Sequence, residues 1–275
     1  MSVGIGIILV LAVIQGFTEF FPVSSSGHLV IFESLFGMRG EGSTLGIMFE
    51  VAVHVGTLGA VVVFYRHRIV LLCRAFLSLI VSGRAGYAAY RKELSYIGLI
   101  IVGTIPAAVI GAGFHDQIEA AFNAPDLTAL FLVATGIYLV TSRWRAASWN
   151  LTWYSALIIG LAQAVAILPG CSRSGWTITT GLLLGLGFAQ AAEFSFLLSV
   201  PAILGATMLE LIREPAAMTS HSTAPLLIGA GAAFISGWLA LKLLIGALRR
   251  ETYHRFAYYL IPAGLAAFIY FAVLT

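Results

Sequence analysis

Two short stretches each gather several reactive side chains within an apolar sequence. The first runs from Gln15 to His28 and carries an amide, a carboxylate, three serine hydroxyls and an imidazole: Gln15, Glu19, Ser24, Ser25, Ser26 and His28. The second, Pro169 to Thr177, carries Ser172, Arg173, Ser174 and Thr177. Gln15 and Glu19 stand at i and i+4, so they share one helix face. Pro22 ends that helix, and a serine of the run Ser24-Ser25-Ser26-Gly27 can cap the next. A helix start offers unpaired N–H groups and partial positive charge, which suits phosphate, and His28 falls in its first turn. In the second stretch Pro169-Gly170 breaks the chain and Ser172 can cap the helix beyond it. Arg173 adds a fork of donors that matches phosphate oxygens. Two helix starts, an Arg, hydroxyls, a His and a carboxylate that could ligate a metal are the parts phosphoryl transfer needs.

These groups sit in a chain that is mostly oil. Of its 275 residues 60% are hydrophobic and 10% charged, with mean hydropathy +0.97. Soluble domains carry roughly 25% charged residues, so a soluble protein of this composition could not cover its surface. The apolar runs are continuous rather than alternating, which excludes a membrane β-barrel and leaves an all-α integral membrane protein. Polar clusters are expensive at membrane depth and mark functional sites. The N-terminal apolar run has neither a basic leader nor a small-residue cleavage site, so it is not read as a removed signal peptide. Cys73 and Cys171 are too far apart in sequence to suggest a metal motif or a disulfide framework.

Six stretches read as full spans: 48–66, 94–113, 127–141, 189–212, 223–247 and 256–274, of which 127–141 is short for the roughly 20 residues a bilayer requires. Residues 69–82 read as an interfacial or partly inserted helix. Residues 2–21 and 151–168 run into the two polar stretches. Arg84, Arg91 and Lys92, then Arg143 and Arg145, then Arg249, Arg250 and Arg255 mark three basic loops. The positive-inside rule places these in the cytoplasm, and the loop with Asp116, Glu119 and Asp126 outside. Parity then makes each interrupted piece a re-entrant hairpin, 1–45 and 151–187, entering from opposite sides with both termini outside. The result is an inverted-topology repeat, 1–145 and 146–275, each half a re-entrant helical hairpin plus about three transmembrane helices. Gln15 and Gln163 stand 148 positions apart, as do Ser24–Gly27 and Ser172–Gly175. Sites in such repeats lie where the broken helices meet.

Gln15-x-x-x-Glu19 followed by Pro22-Val-Ser-Ser-Ser-Gly-His28, with Pro169-Gly-Cys-Ser-Arg-Ser-Gly-Trp-Thr177, resembles the undecaprenyl-pyrophosphate phosphatases, the bacitracin-resistance phosphatases. The likeness covers essentially the whole chain, and the paired motifs are far more specific than either alone. It implies hydrolysis of undecaprenyl (C55) diphosphate to the monophosphate, recycling the lipid carrier of cell-wall synthesis. It also implies a divalent cation, Mg2+ or Ca2+, and a multi-pass protein of the bacterial inner membrane with its site open to the outer side. The expected partners are the polyprenyl diphosphate lipid and the bilayer, with no nucleic acid and a homodimer left open. The family carries Glu or Gln where this chain has Gln15, so a metal site built on two carboxylates of this helix is in doubt.

The resemblance suggests roles: Glu19, Ser25, His28 and Arg173 as catalytic groups, Ser25 as nucleophile or phosphate ligand, and His28 as general acid and base. Ser24, Ser26, Gly27, Ser172, Ser174 and Thr177 would bind the diphosphate, and Glu19 with Gln15 the metal. Each has a plainer role as well: serines cap helices, a buried Glu pairs with an Arg, and Arg173 could pair with Glu193. Glu50 and Glu193 read as braces of the hairpins. Trp144, Trp149, Trp153, Tyr253, Tyr258 and Tyr259 read as interface anchors. A His-nucleophile lipid phosphatase is disfavoured because 172–181 contains no His. The rival of another class is a transporter or polyprenyl-phosphate flippase, for which the repeat architecture alone would speak.

Overall fold

The structure, a computed structural model, describes residues 5–35, 46–144, 150–213, 223–249 and 252–274. Arg145, Trp149, Arg250 and most of the 213–222 loop lie outside the described residues. All regular secondary structure among the described residues is helical, with no strand. The helices are α1 (Ile5–Phe20), α2 (Ser25–Leu35), α3 (Gly46–Phe64), α4 (Arg66–Ala89), α5 (Arg91–Gly113) and α6 (His115–Phe122). They continue with α7 (Pro125–Thr141), α8 (Trp153–Val165), α9 (Arg173–Leu183), α10 (Phe188–Arg213), α11 (Thr223–Arg249) and α12 (Ala257–Ile269). By length and composition, six helices among the described residues can cross a membrane: 66–89, 91–113, 125–144, 188–213, 223–246 and 253–272. Five of these match expected spans. The expected span 48–66 is a shorter apolar helix, and 66–89 takes its place in the set.

The length of 66–89 is that of two legs joined at a bend. α4 is continuous only to Gly83, whose φ of +52° belongs to the left-handed region that glycine adopts without strain. Beyond it the chain folds back, and a Cβ on Gly86 would collide with the Ser78 carbonyl. The straight leg is therefore the short apolar helix read from the sequence, with a return leg where a loop was expected. The acidic loop likewise contains a helix, α6, with His115 3.8 Å from Glu119.

α11 packs against both α1 and α3, α7 against α12, and α5 against α8. Lipid supplies no hydrophobic drive between helices, so close approach through small residues matters. A Cβ on Gly16 would strike Ser236, and one on Gly160 would strike the Gly103 carbonyl. Pro106, Pro201 and Pro262 sit inside helices, where neighbouring helices make them tolerable.

The two short helices that begin after the breaks are fixed by their ends. Ser24 caps α2 by accepting from Gly27 N–H at 3.1 Å, and Ser172 caps α9 by accepting from Gly175 N–H at the same 3.1 Å. α9 stops at Gly185 (φ +88°), where Leu186 N–H reaches the Gly181 carbonyl and Gly185 N–H the Leu182 carbonyl, a Schellman end. Replacing Gly160 by Val should lower thermal stability in detergent by about 1–3 kcal/mol or more through overpacking. Gly98→Ala, at a position open to 4 Å, should hold or raise it; equal effects of the two changes would show that α5 and α8 do not meet this closely.

Candidate active site

The two breaks meet tip to tip. A Cβ on Gly27 would lie 2.9 Å from Gly170 Cα, so α2 and the turn before α9 touch through backbone. Ser174 Oγ donates to the Phe21 carbonyl at 3.1 Å, and Tyr253 donates to the Ser174 carbonyl at 2.9 Å. Thr135 on α7 holds the second turn from outside. Its hydroxyl donates to the Gly170 carbonyl at 3.0 Å and accepts from Ser172 N–H and Trp176 Nε1, each at 3.2 Å. Trp176 in turn stacks on Tyr138 at 4.4 Å.

Glu19 is the centre. Its Oε1 accepts from Arg173 Nη2 at 2.6 Å, a bond between residues 154 apart in sequence. Its Oε2 accepts from Ser25 Oγ at 2.7 Å and from Gln15 Nε2 at 3.0 Å, with His54 Nε2 3.9 Å away. Both side chains of the ion pair are largely out of contact with solvent, at 6% exposure for Glu19 and 15% for Arg173. A buried charge needs such partners, since removing one leaves the other uncompensated. Two buried polar atoms of this cluster have no hydrogen-bond partner among the described residues: Arg173 Nη1 and Gln15 Oε1. In a buried site such atoms are places for a ligand's oxygens or for an ion.

His28 is not hydrogen-bonded to Ser25. Its Nδ1 lies 2.8 Å from the Ser24 carbonyl, which only accepts, so Nδ1 carries the proton. Nε2 is then the basic nitrogen, and Tyr259 donates to it at 2.7 Å with the two rings stacked at 5.8 Å. Ser24 itself takes φ +68°, the one non-glycine among the described residues in the left-handed region. Such a conformation costs of order 1–3 kcal/mol and persists where the surroundings over-determine it, commonly at functional sites.

Of the residues read as candidates, Gln15, Glu19, Ser25 and Arg173 form one hydrogen-bonded cluster, with His28 one helical turn along α2 from Ser25. Ser24 and Ser172 are spent as caps; Ser26 and Ser174 each lie 3.3 Å from their helix's capping hydroxyl. Gly27 serves the tip contact. The Thr177 hydroxyl faces away into packing: it donates to the Arg173 carbonyl at 2.7 Å and meets Ser195 at 2.6 Å. Arg173 pairs with Glu19 rather than Glu193. Glu193 instead holds Arg68 at 3.1 Å, and Arg68 lies over the Tyr96 ring, away from the tips. Tyr253 is fully buried rather than an interface anchor, because its hydroxyl has a carbonyl to satisfy inside. The sequence signalled no site role for Tyr259, Tyr253 or Thr135. In the sequence His54 is a polar residue within the apolar run 48–66.

Fold and site together define a helical integral membrane protein whose polar centre lies between two broken helix pairs. The chain belongs to the family described as bacitracin resistance protein BacA, whose model matches residues 8–266. Among its relatives, an undecaprenyl-diphosphatase of Rhodopirellula baltica is 41% identical over 264 residues, covering 94% of this chain and 95% of its own. One from Korarchaeum cryptofilum is 37% identical, covering 94% and 96%, and one from Chromohalobacter salexigens 38%, covering 96% and 98%.

The ion pair is open to a direct test. Arg173→Ala should cost about 3–5 kcal/mol of stability by stranding the Glu19 carboxylate. Pairing Glu19→Gln with Arg173→Gln should cost less than the sum of the single changes, by roughly 0.5–3 kcal/mol in a double-mutant cycle on unfolding in detergent. Strict additivity would mean that the two side chains do not meet.

Proposed function

We propose that this chain hydrolyses undecaprenyl diphosphate to undecaprenyl phosphate and inorganic phosphate, the activity for which its relatives are named. In a bacterial inner membrane this reaction would recycle the carrier lipid of cell-wall synthesis and confer bacitracin resistance. The observation that carries it is Ser25 held on Glu19 at 2.7 Å, with Arg173 on the other oxygen of the same carboxylate. A flippase needs no hydroxyl poised on a carboxylate for its transport step.

Arg173 Nη1, buried and unpartnered, takes an oxygen of the terminal phosphate. The starts of α2 and α9 add N–H groups that helix geometry leaves unpaired. Ser25 Oγ attacks the terminal phosphorus while its proton passes to Glu19. The bond from phosphorus to the bridging oxygen breaks, and the lipid monophosphate leaves. Water that displaces the Tyr259 hydroxyl from His28 Nε2 then attacks the phosphoserine and gives that nitrogen its proton; the Ser25 Oγ–phosphorus bond breaks, Glu19 returns its proton to Ser25, and inorganic phosphate leaves. Glu19, rather than His28, is thus the base for Ser25, because it is the group in hydrogen-bond reach.

A divalent cation, Mg2+ or Ca2+, belongs to the same proposal. Among the described residues no three His, Cys, Asp or Glu side chains cluster as a preformed cage. The orphaned, buried Gln15 Oε1 beside Glu19 fits instead a hard ion bound by one carboxylate, one amide oxygen and the substrate's own phosphate oxygens. Gln15 and Glu19 would hold it, and it would neutralise charge on the phosphoryl group.

We further infer that 1–145 and 146–275 form an inverted-topology repeat with the site open to the outer side. The support is that both tips use the same cap, serine to the glycine three residues on, with a buried Gln on each preceding helix.

Purified wild-type protein in detergent, given undecaprenyl diphosphate and Mg2+, should release phosphate with no membrane gradient. Arg173→Ala, Glu19→Ala and Ser25→Ala should each lose roughly 10²–10³-fold or more, the scale of removing one donor from a transition state. Wild-type turnover in Arg173→Ala or Glu19→Ala would sink the scheme, and retained activity in Ser25→Ala would replace the serine by direct attack of water.

A further inference from the structure

A cavity of about 330 Å³ opens between α2 and α12. His28, Phe32 and Leu35 line it from one side, and Ala263, Ala266 and Tyr270 from the other. His28, Phe32 and Leu35 keep the i, i+4, i+7 spacing of a single helix face, as do Tyr259, Ala263 and Ala266. The small side chains on α12 leave room where α2 presents bulk. The lining is mainly apolar; His28 and Tyr259, which meet at 2.7 Å, and Tyr270 are its polar-bearing residues. Leu132 of α7 also lines the groove, and its Cδ2 lies 3.0 Å from where a Cβ on Gly27 would stand, so the groove wall abuts the contact between the two tips. The apolar groove therefore adjoins the polar centre, and its polar end, at His28, lies one helical turn from Ser25.

We propose that this groove seats the diphosphate-proximal isoprene units of the lipid substrate, with Tyr259 at the junction of tail and headgroup. The proposal rests on the diphosphate site assigned above. Ligand pockets run roughly 300–1,000 Å³, so the groove takes only the start of a C55 chain and leaves the rest in the bilayer. A tail in lipid is already out of water, so the groove adds little hydrophobic drive. Its effect is positional: it fixes the tail and so sets the terminal phosphorus against Ser25, where a displacement of 1 Å can cost about 10²-fold in rate.

The test is a farnesyl diphosphate analogue carrying a photoreactive diazirine on its first isoprene unit, cross-linked to the purified full chain in nanodiscs and mapped by peptide mass spectrometry. Labels should fall on residues 25–35 and 257–272 and vanish with Arg173→Ala. Ala266→Phe, on the groove wall, should weaken both labelling there and turnover about tenfold. Labelling that needs Arg173 but maps to other helices overturns the groove and leaves the diphosphate site standing. Labelling indifferent to Arg173→Ala overturns the diphosphate site and the groove with it. If a diazirine fatty-acid phospholipid labels the same residues as strongly, the groove is merely a lipid-facing crevice and the proposal fails. The cross-link map decides the matter even if Ala266→Phe does not fold.

Discussion

The structure depends on the ion pair between the two polar stretches, Arg173 Nη2 to Glu19 Oε1 at 2.6 Å. Neither ion could sit alone at this depth, since an isolated charge in a low-dielectric interior is far too costly. Each therefore requires the other's helix to break in the right place. Once paired, Glu19 still has an oxygen free for Ser25 and Gln15, and Arg173 still has Nη1 free. The pair satisfies the charges without exhausting the donors and acceptors that chemistry needs.

The breaks that make this pair reachable are held by backbone as much as by side chains. Ser24 sits in a left-handed conformation while its hydroxyl caps α2; Gly170, at φ +90°, makes the corresponding turn with no side chain to strain. Thr135, Tyr253 and Ser174 clamp these turns from three helices. Unwound backbone is admissible at membrane depth only when protein encloses it, and these bonds supply the enclosure.

The apolar surroundings obey the same constraint. Helices that gain nothing from hydrophobic transfer approach through Gly16, Gly103 and Gly160, and the bundle reads as close packing around a small polar centre. Where packing is left open, between α2 and α12, the opening leads to His28. An enzyme acting on a lipid headgroup needs a polar end closed to bulk water and an apolar end open to the bilayer, and the two meet at the Tyr259–His28 contact.

The sequence by itself determined the class, the breaks and the cast. Continuous apolar runs admit only membrane helices, Pro22 and Pro169-Gly170 must interrupt them, and Glu19, Ser25, His28 and Arg173 are too polar to be there without purpose. It also located the Ser172 cap and narrowed the other to a run of three serines, because capping is a local matter of three residues. What it could not decide were contacts set by packing angle. These include the choice of Glu19 over Glu193 for Arg173, the seating of Ser25 on Glu19 instead of His28, and the inward turn of Thr177. They also include the recruitment of Tyr259 and Tyr253 from the far end of the chain. A helix's periodicity fixes which residues share its own face but not which face of a distant helix it will meet. For that reason the parts of the site were legible in the sequence, and its wiring was fixed only by the tertiary structure.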